Sequence, residues 1–587
     1  MKQFFQTTFA CVLGIFIAWI LGFFILTAAI IGSAASSISA SSDEVTFQPK
    51  SRSIFHLQLD RQVVDRVNLD PFAEISNVLN DTKGALGLNE ILSSIEKAQY
   101  NDNIKGIYLT TDGYESSFGT SAELRKKLTS FKESGKFVIA YNNNYSLNQY
   151  YLSSVADSLF INPFGSIELR GLSSTSIFFK NTLDKIGVQM QIFRVGTFKS
   201  AIEPFTLEKM SEANREQTQT FLNSMWQTIS EGIASSRKLS TTEINNIANE
   251  GILFKTANEI TSSGLFDKMY YPTDMSTYFE RLLKSDEIEM PKLNKIKNIA
   301  SPKRNAEAEI AILYATGDIV DNKSGGIYWK EIIKEIETIK EDEDIKAVVL
   351  RVNSPGGSAF GSEIIWKAIE ELKAVKPVVT SMGALAASGG YYISCNSNKI
   401  IAEKTTLTGS IGVFGMIPDA QNLLTDKIGL RFDEVKTNTF GSMSIARPLN
   451  TLEKTQIQRN VENVYDTFIT RCANGRGLTK EAVRKVAEGR VWTGEDALHI
   501  GLVDQIGGLD TALEEAAKLA FISSYNVVEY PEEKDFFTLL VEEMEDSPYL
   551  KIKNLFSSPD LAYFHAIKQI QNETPIQARM INNITIE

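Results

Sequence analysis

The chain has 587 residues, 43% hydrophobic and 22% charged, an ordinary globular composition in a chain too long for one typical domain. Its net charge of −12 excludes a generic nucleic-acid binder, because phosphate contacts need clustered Lys and Arg and no cluster occurs. Cys11, Cys395 and Cys472 are too few for a disulfide framework, and His56, His499 and His565 lack zinc-site spacing, so no metal or cofactor is expected.

No charged residue stands between Lys2 and Asp43, and Phe9 to Ile31 is almost wholly apolar. At ~1.5 Å per residue this stretch crosses ~30 Å of hydrocarbon, so 9–32 reads as a transmembrane anchor. Ser33, Ala34 and Ala35 would suit a cleaved signal peptide, but the apolar run exceeds the ~7–15 residues usual there. Lys2 lies on the short flank, while Asp43 and Glu44 open the long one. The positive-inside tendency therefore puts 1–8 in the cytoplasm and the body, after a linker over 33–50, on the periplasmic side of the inner membrane.

The body repeats itself at an offset of about 240 residues. Asn103-Ile104-Lys105-Gly106-Ile107-Tyr108-Leu109 answers Asp344-Ile345-Lys346-Ala347-Val348-Val349-Leu350, and Tyr150-Tyr151-Leu152-Ser153 answers Tyr391-Tyr392-Ile393-Ser394. Thr197-Phe198 matches Thr439-Phe440, and Ser263-Gly264-Leu265-Phe266-Asp267 parallels Ile500-Gly501-Leu502-Val503-Asp504. Two copies follow, over 51–290 and 306–522. Met290 to Asn305 is rich in Lys, Asn and Pro, which predicts a linker over 291–305. In the second copy Trp329, Ile332, Ile336 and Ile339 form a helical stripe, Ala347 to Val352 a buried strand, and Ile365, Ile369 and Leu372 a second stripe before Val378-Val379. That βαβ order predicts an α/β fold with a largely parallel sheet. The tail over 523–587 has no counterpart in the first copy.

The copies differ most where the second turns glycine-rich. Asn353-Ser354-Pro355-Gly356-Gly357-Ser358 follows a buried strand and can expose backbone N–H groups, whereas the first copy has Asp112-Gly113-Tyr114-Glu115-Ser116. Gly383-Ala384-Leu385-Ala386-Ala387-Ser388-Gly389-Gly390 sets one serine among small residues before a predicted helix, where free N–H donors favour developing negative charge. Leu147 is the counterpart of Ser388. A serine needs a base, and the three histidines are poorly placed in the chain to supply one. Lys199, in Gly196-Thr197-Phe198-Lys199-Ser200, faces Gly441 in the other copy. One copy keeps the lysine and the other the serine, so a dyad across their interface is expected. A lysine of pKa ~10.4 is neutral to roughly one part in a thousand near pH 7.4, so it must be buried, beside Phe198 and Ile202 for example. Glu203 and Arg194 are close in sequence, and a nearby carboxylate would oppose that shift.

The anchor, the duplication, Asn353-Ser354-Pro355-Gly356-Gly357, Ala387-Ser388-Gly389-Gly390-Tyr391-Tyr392, Thr408-Gly409-Ser410-Ile411-Gly412-Val413 and Gly196-Thr197-Phe198-Lys199-Ser200 together resemble the signal peptide peptidase SppA (protease IV) family in its long, double-domain form. The resemblance covers the chain to about residue 520. It implies tandem Clp-protease/crotonase-like domains, Ser388 as nucleophile and Lys199 as general base. It further implies that Ser410 orients the lysine and that the amides of Gly357 and Gly389 form an oxyanion hole. Remnant signal peptides as substrates, contact with the lipid bilayer and a bowl-shaped homotetramer are likewise implied. Two rival readings are a crotonase-type acyl-CoA hydratase or isomerase, which needs neither the serine nor the lysine, and a catalytically silent membrane scaffold, which would have lost one of them.

Overall fold

The computed structural model describes residues 46–67, 83–300, 306, 308–323, 325–532, 576–580 and 585–586, with Gly14 standing alone. The expected anchor over 9–32 otherwise lies outside the described residues, among which no helix is long and apolar enough to cross a membrane.

In the second copy the apolar runs become the sheet and the stripes become its cover. Strands Glu309–Thr316, Ile345–Ser354 and Val378–Ala387 pair in parallel. Helix Trp329–Glu341 buries Ile332, Ile336 and Ile339, and helix Ala359–Lys373 buries Ile365, Ile369 and Leu372, as the spacing predicts. Each such side chain contributes about 1.5–3 kcal/mol on burial, so a charge at Ile336 would break the layer. The sheet continues from Val378–Ala387 to Lys399–Ala402 at one end and to Leu407–Gly409 at the other, where Val491–Thr493 closes it in antiparallel fashion. The first copy builds a smaller parallel sheet in the order Ser53–Gln58, Ile104–Thr110, Phe137–Asn142, Ser158–Ile161 and Lys268–Met269.

Both bodies extend past the limits read from sequence. Leu293, Ile296 and Ile299 pack into the first core, so the Lys-rich segment after Met290 is not a free linker up to residue 300. Its polar composition conceals an apolar residue at every third position. Beyond 522, Asn526–Tyr530 adds a parallel edge strand to the second sheet against Glu309–Thr316.

A third sheet joins the copies, in the order Ile327–Tyr328, Ile319–Val320, Gly356–Ser358, Ile576–Arg579, Val413–Asp419 and Gln189–Val195. The last strand is an arm of the first copy, antiparallel to Val413–Asp419 from Val195 opposite Val413 to Gln189 opposite Asp419. Its counterpart by the repeat, 431–437, forms no strand and is exposed, with Phe432 at 55% and Val435 at 98%.

Candidate active site

Ser388 ends the strand Val378–Ala387 and begins the helix Gly389–Ser394. Its backbone adopts φ 54° and ψ −113°, a conformation costly for a residue with a side chain, and one that persists only where the surroundings impose it. The Ser388 N–H donates to the Gly409 carbonyl at 2.8 Å, fixing the turn against the neighbouring strand. Its hydroxyl makes no capping bond to the helix and is left for another partner.

That partner comes from the other copy. The arm Gln189–Val195 leads into the turn carrying Lys199, and the Phe198 N–H donates to the Glu488 carbonyl at 2.8 Å. The lysine stem then passes Gly489, where a Cβ would lie 2.7 Å from Lys199 Cβ, so only glycine leaves room. Gln217, on the helix Glu212–Arg237, donates to the Phe198 carbonyl at 3.0 Å and accepts from the Val491 N–H at 3.2 Å, tying the turn to both copies.

Lys199 Nζ lies 2.7 Å from Ser388 Oγ, 3.1 Å from Ser410 Oγ and 3.0 Å from the Ser410 carbonyl oxygen. Lys199, Ser388 and Ser410 are all buried. Burial holds the Lys199 amine well below the ordinary lysine range, because desolvation disfavours the ammonium. Glu203 does not oppose this: its carboxylate accepts from the Ser211 hydroxyl at 2.5 Å, the Ser211 N–H at 3.1 Å and Asn214 Nδ2 at 2.9 Å. Arg194 is exposed on the arm. A neutral amine has two N–H donors and one lone pair. With both N–H groups directed to the two Ser410 oxygens, the lone pair faces the Ser388 hydroxyl and can take its proton.

Gly356 and Gly357 follow at φ 101° and 151°, and a Cβ on Gly357 would lie 2.1 Å from the Ile319 carbonyl oxygen. This backbone closes against the serine turn: a Cβ on Gly356 would be 2.5 Å from the Gly389 N. The Gly356-Gly357 turn thus packs directly against the Gly389 end of the serine turn.

The sequence-predicted residues Ser388, Lys199, Ser410, Gly357 and Gly389 therefore meet in one place, within a single chain. Gly489 and Gln217 escaped sequence reasoning, since a lone glycine in Glu488-Gly489-Arg490 and a single glutamine within a long helix have no pattern of their own. His56 is elsewhere, stacked on Tyr108 and 3.0 Å from Thr110 Oγ1, with burial lowering its pKa to about 4. His499 is exposed on its helix, and His565 lies outside the described residues.

A buried serine hydroxyl facing a desolvated amine can serve acyl transfer, and relatives named as proteases match the chain. Protease 4 of Salmonella typhi is 35% identical over 472 residues, covering 78% of this chain and 76% of that one. Protease 4 of Haemophilus influenzae is 34% identical over 528 residues, covering 85% and 83%. The chloroplastic serine protease SPPA of Arabidopsis thaliana is 30% identical over 451 residues, covering 74% and 66%. The protein is a serine protease. Residues 130–286 and 370–523 each match the model of peptidase family S49, and the chain belongs to that family.

Proposed function

We propose that the chain is a membrane-anchored endopeptidase working through a serine–lysine dyad on apolar peptides, cleaved signal peptides among them. One observation carries this reading: Lys199 Nζ stands 2.7 Å from Ser388 Oγ in a buried setting that holds the amine well below the ordinary lysine range. A substrate enters as an extended strand between Gly356–Ser358 and Val413–Asp419, so main-chain pairing holds it whatever its sequence. Ser388 Oγ attacks the scissile carbonyl while Lys199 takes its proton, and the Gly357 and Gly389 amides receive the oxyanion. Lys199 returns the proton to the leaving amine, and water then resolves the acyl-enzyme. Ser410 holds the amine through both of its oxygens.

Phe221, Met225, Leu407 and Val491 form an apolar wall beside the cleft, which favours apolar peptides. The tandem Clp-protease/crotonase-like reading rests on the repeat and on the parallel sheet of each copy, and the anchor over 9–32 rests on the sequence. A homotetramer is supported by the repeat itself. The first copy's arm is docked on its neighbour, while the matching second-copy segment exposes Ile428, Leu430, Phe432, Val435 and Phe440, as a head-to-tail ring of alternating copies requires.

The test is hydrolysis of a fluorogenic apolar peptide by the full chain. Ser388→Ala and Lys199→Met should each lower turnover by roughly 10⁴ or more with the thermal melt unchanged. Substantial turnover in either variant rules the dyad out, and a preference for charged peptides rules out the signal-peptide assignment.

A further inference from the structure

The cleft is already occupied by the chain's own residues. Strand Ile576–Arg579 lies between the two edges described above, pairing Gly356 with Arg579, Gly357 with Ala578 and Ser358 with Gln577 on one side, and Phe414 with Gln577 on the other. Its register is specific. The Met580 N–H donates to the Pro355 carbonyl at 2.7 Å, and in an antiparallel ladder hydrogen-bonded pairs alternate, so Gly357 and Ala578 form the next such pair. The Ala578 carbonyl is thereby aimed at the Gly357 amide, and its oxygen also lies 3.0 Å from where a Cβ on Gly389 would stand. One carbonyl oxygen thus lies against both glycines that the proposed oxyanion hole uses, where the carbonyl under attack belongs.

The flanking residues fix this position. Arg579 Nη2 is 2.7 Å from Asp318 Oδ2, the Ala578 side chain is buried, and Met580 packs among Phe221, Met225, Leu407 and Val491. Anchors thus lie on the far side of the Ala578–Arg579 bond as well as before it, which is how a substrate spans a scissile bond.

We propose that this strand is a tethered substrate and that the chain cuts itself between Ala578 and Arg579, an inference that rests on the dyad reading. Ser388 Oγ bonds to the Ala578 carbonyl carbon, the bond to the Arg579 nitrogen breaks, and Lys199 carries the serine proton to that nitrogen. Water then hydrolyses the ester, leaving a chain that ends in the Ala578 carboxylate and a free peptide running from Arg579 to Glu587. Until that happens the strand fills both edges to which a peptide must pair.

Intact-mass spectrometry of the full chain, with hydrolysis of an added apolar peptide followed in the same sample, tests this. Wild type should lose residues 579–587 at a first-order rate independent of protein concentration, and Ser388→Ala should stay whole. Ala578→Trp, whose indole cannot fit where a methyl is buried, should also stay whole while still hydrolysing added peptide. Wild type that hydrolyses the added peptide yet keeps its full mass overturns the inference alone, as does a cut at a different bond or a rate that rises with concentration. Hydrolysis of added peptide by Ser388→Ala overturns the dyad on which it rests.

Discussion

The lysine reaches the serine only while the two copies stay docked, and an ion cluster buried between them makes that docking testable. Arg351 donates from Nε to Asp65 Oδ1 at 2.8 Å, from Nη2 to Glu123 Oε1 at 2.6 Å and from Nη1 to Ser381 Oγ at 2.8 Å. Asp65 and Glu123 belong to the first copy, Arg351 and Ser381 to the second. Their remaining oxygens are also bound, Asp65 Oδ2 by Asn353 at 2.7 Å and Glu123 Oε2 by the Leu509 N–H at 2.8 Å. Arg351→Met leaves two carboxylates, each with a side chain only 3% exposed, facing one another without a cation. Breaking a buried pair in this way costs about 3–5 kcal/mol. At roughly 2–4 °C per kcal/mol for domains of this size, the melting temperature should fall by roughly 6–20 °C. Burial already pushes the Glu123 carboxyl up, and without the arginine protonation becomes its remaining relief, so the loss should be larger at pH 8 than at pH 6. Calorimetry at both pH values, with peptide hydrolysis alongside, measures the effect. Adding Asp65→Asn and Glu123→Gln to Arg351→Met should recover most of the loss, since neutral partners need no cation. A single variant that melts within about 2 °C of wild type at pH 8 would refute the assignment of this cluster as the clamp.

Two further expectations concern pH. Only neutral Lys199 accepts a proton, so kcat/KM should rise with pH and level off below the ordinary lysine range; a flat profile, or one still rising past pH ~10.4, contradicts a buried amine base. Glu403, buried and near Glu123, has its carboxyl pushed up to about 8, so it holds a proton in the fold that the unfolded chain gives up above about 4.5. The resulting stability is present below pH ~4.5 and lost as pH rises to about 8, on the order of 5 kcal/mol, and denaturant melts of Glu403→Gln should show a correspondingly flatter decline.

The architecture and the centre of the site were legible because each rests on a local pattern. Period-3.6 stripes such as Ile332, Ile336 and Ile339, and the unbroken run Ala347 to Val352, carry their burial in their spacing. The repeat aligns Lys199 with Gly441 and Ser388 with Leu147, which marks where the two copies differ. What stayed hidden depends on contacts distant in sequence. The pairing of Ile576–Arg579 with Gly356–Ser358 spans more than 200 residues, and nothing in Ile576-Gln577-Ala578-Arg579 marks it as a cleft strand. Gly489 matters only because a stem from the other copy passes it, and the apolar residues after Met290 were masked by the lysines between them.

The proposed division of the dyad between copies also accounts for a lysine acting as a base. On an undocked first copy the Gln189–Val195 arm and its turn would meet water, and an amine in water stays charged at neutral pH. Docking pairs the arm along Val413–Asp419, seats Phe198 on the Glu488 carbonyl and buries the amine against Ser410, where its charged form loses hydration without gaining a carboxylate partner among the described residues. The desolvation of Lys199 is therefore supplied by docking, which the seven paired residues of the arm and the Arg351 cluster hold in place. Copy-to-copy stability and proton transfer are one equilibrium, and a substitution that loosens the first should depress the second even when it touches neither Ser388 nor Lys199.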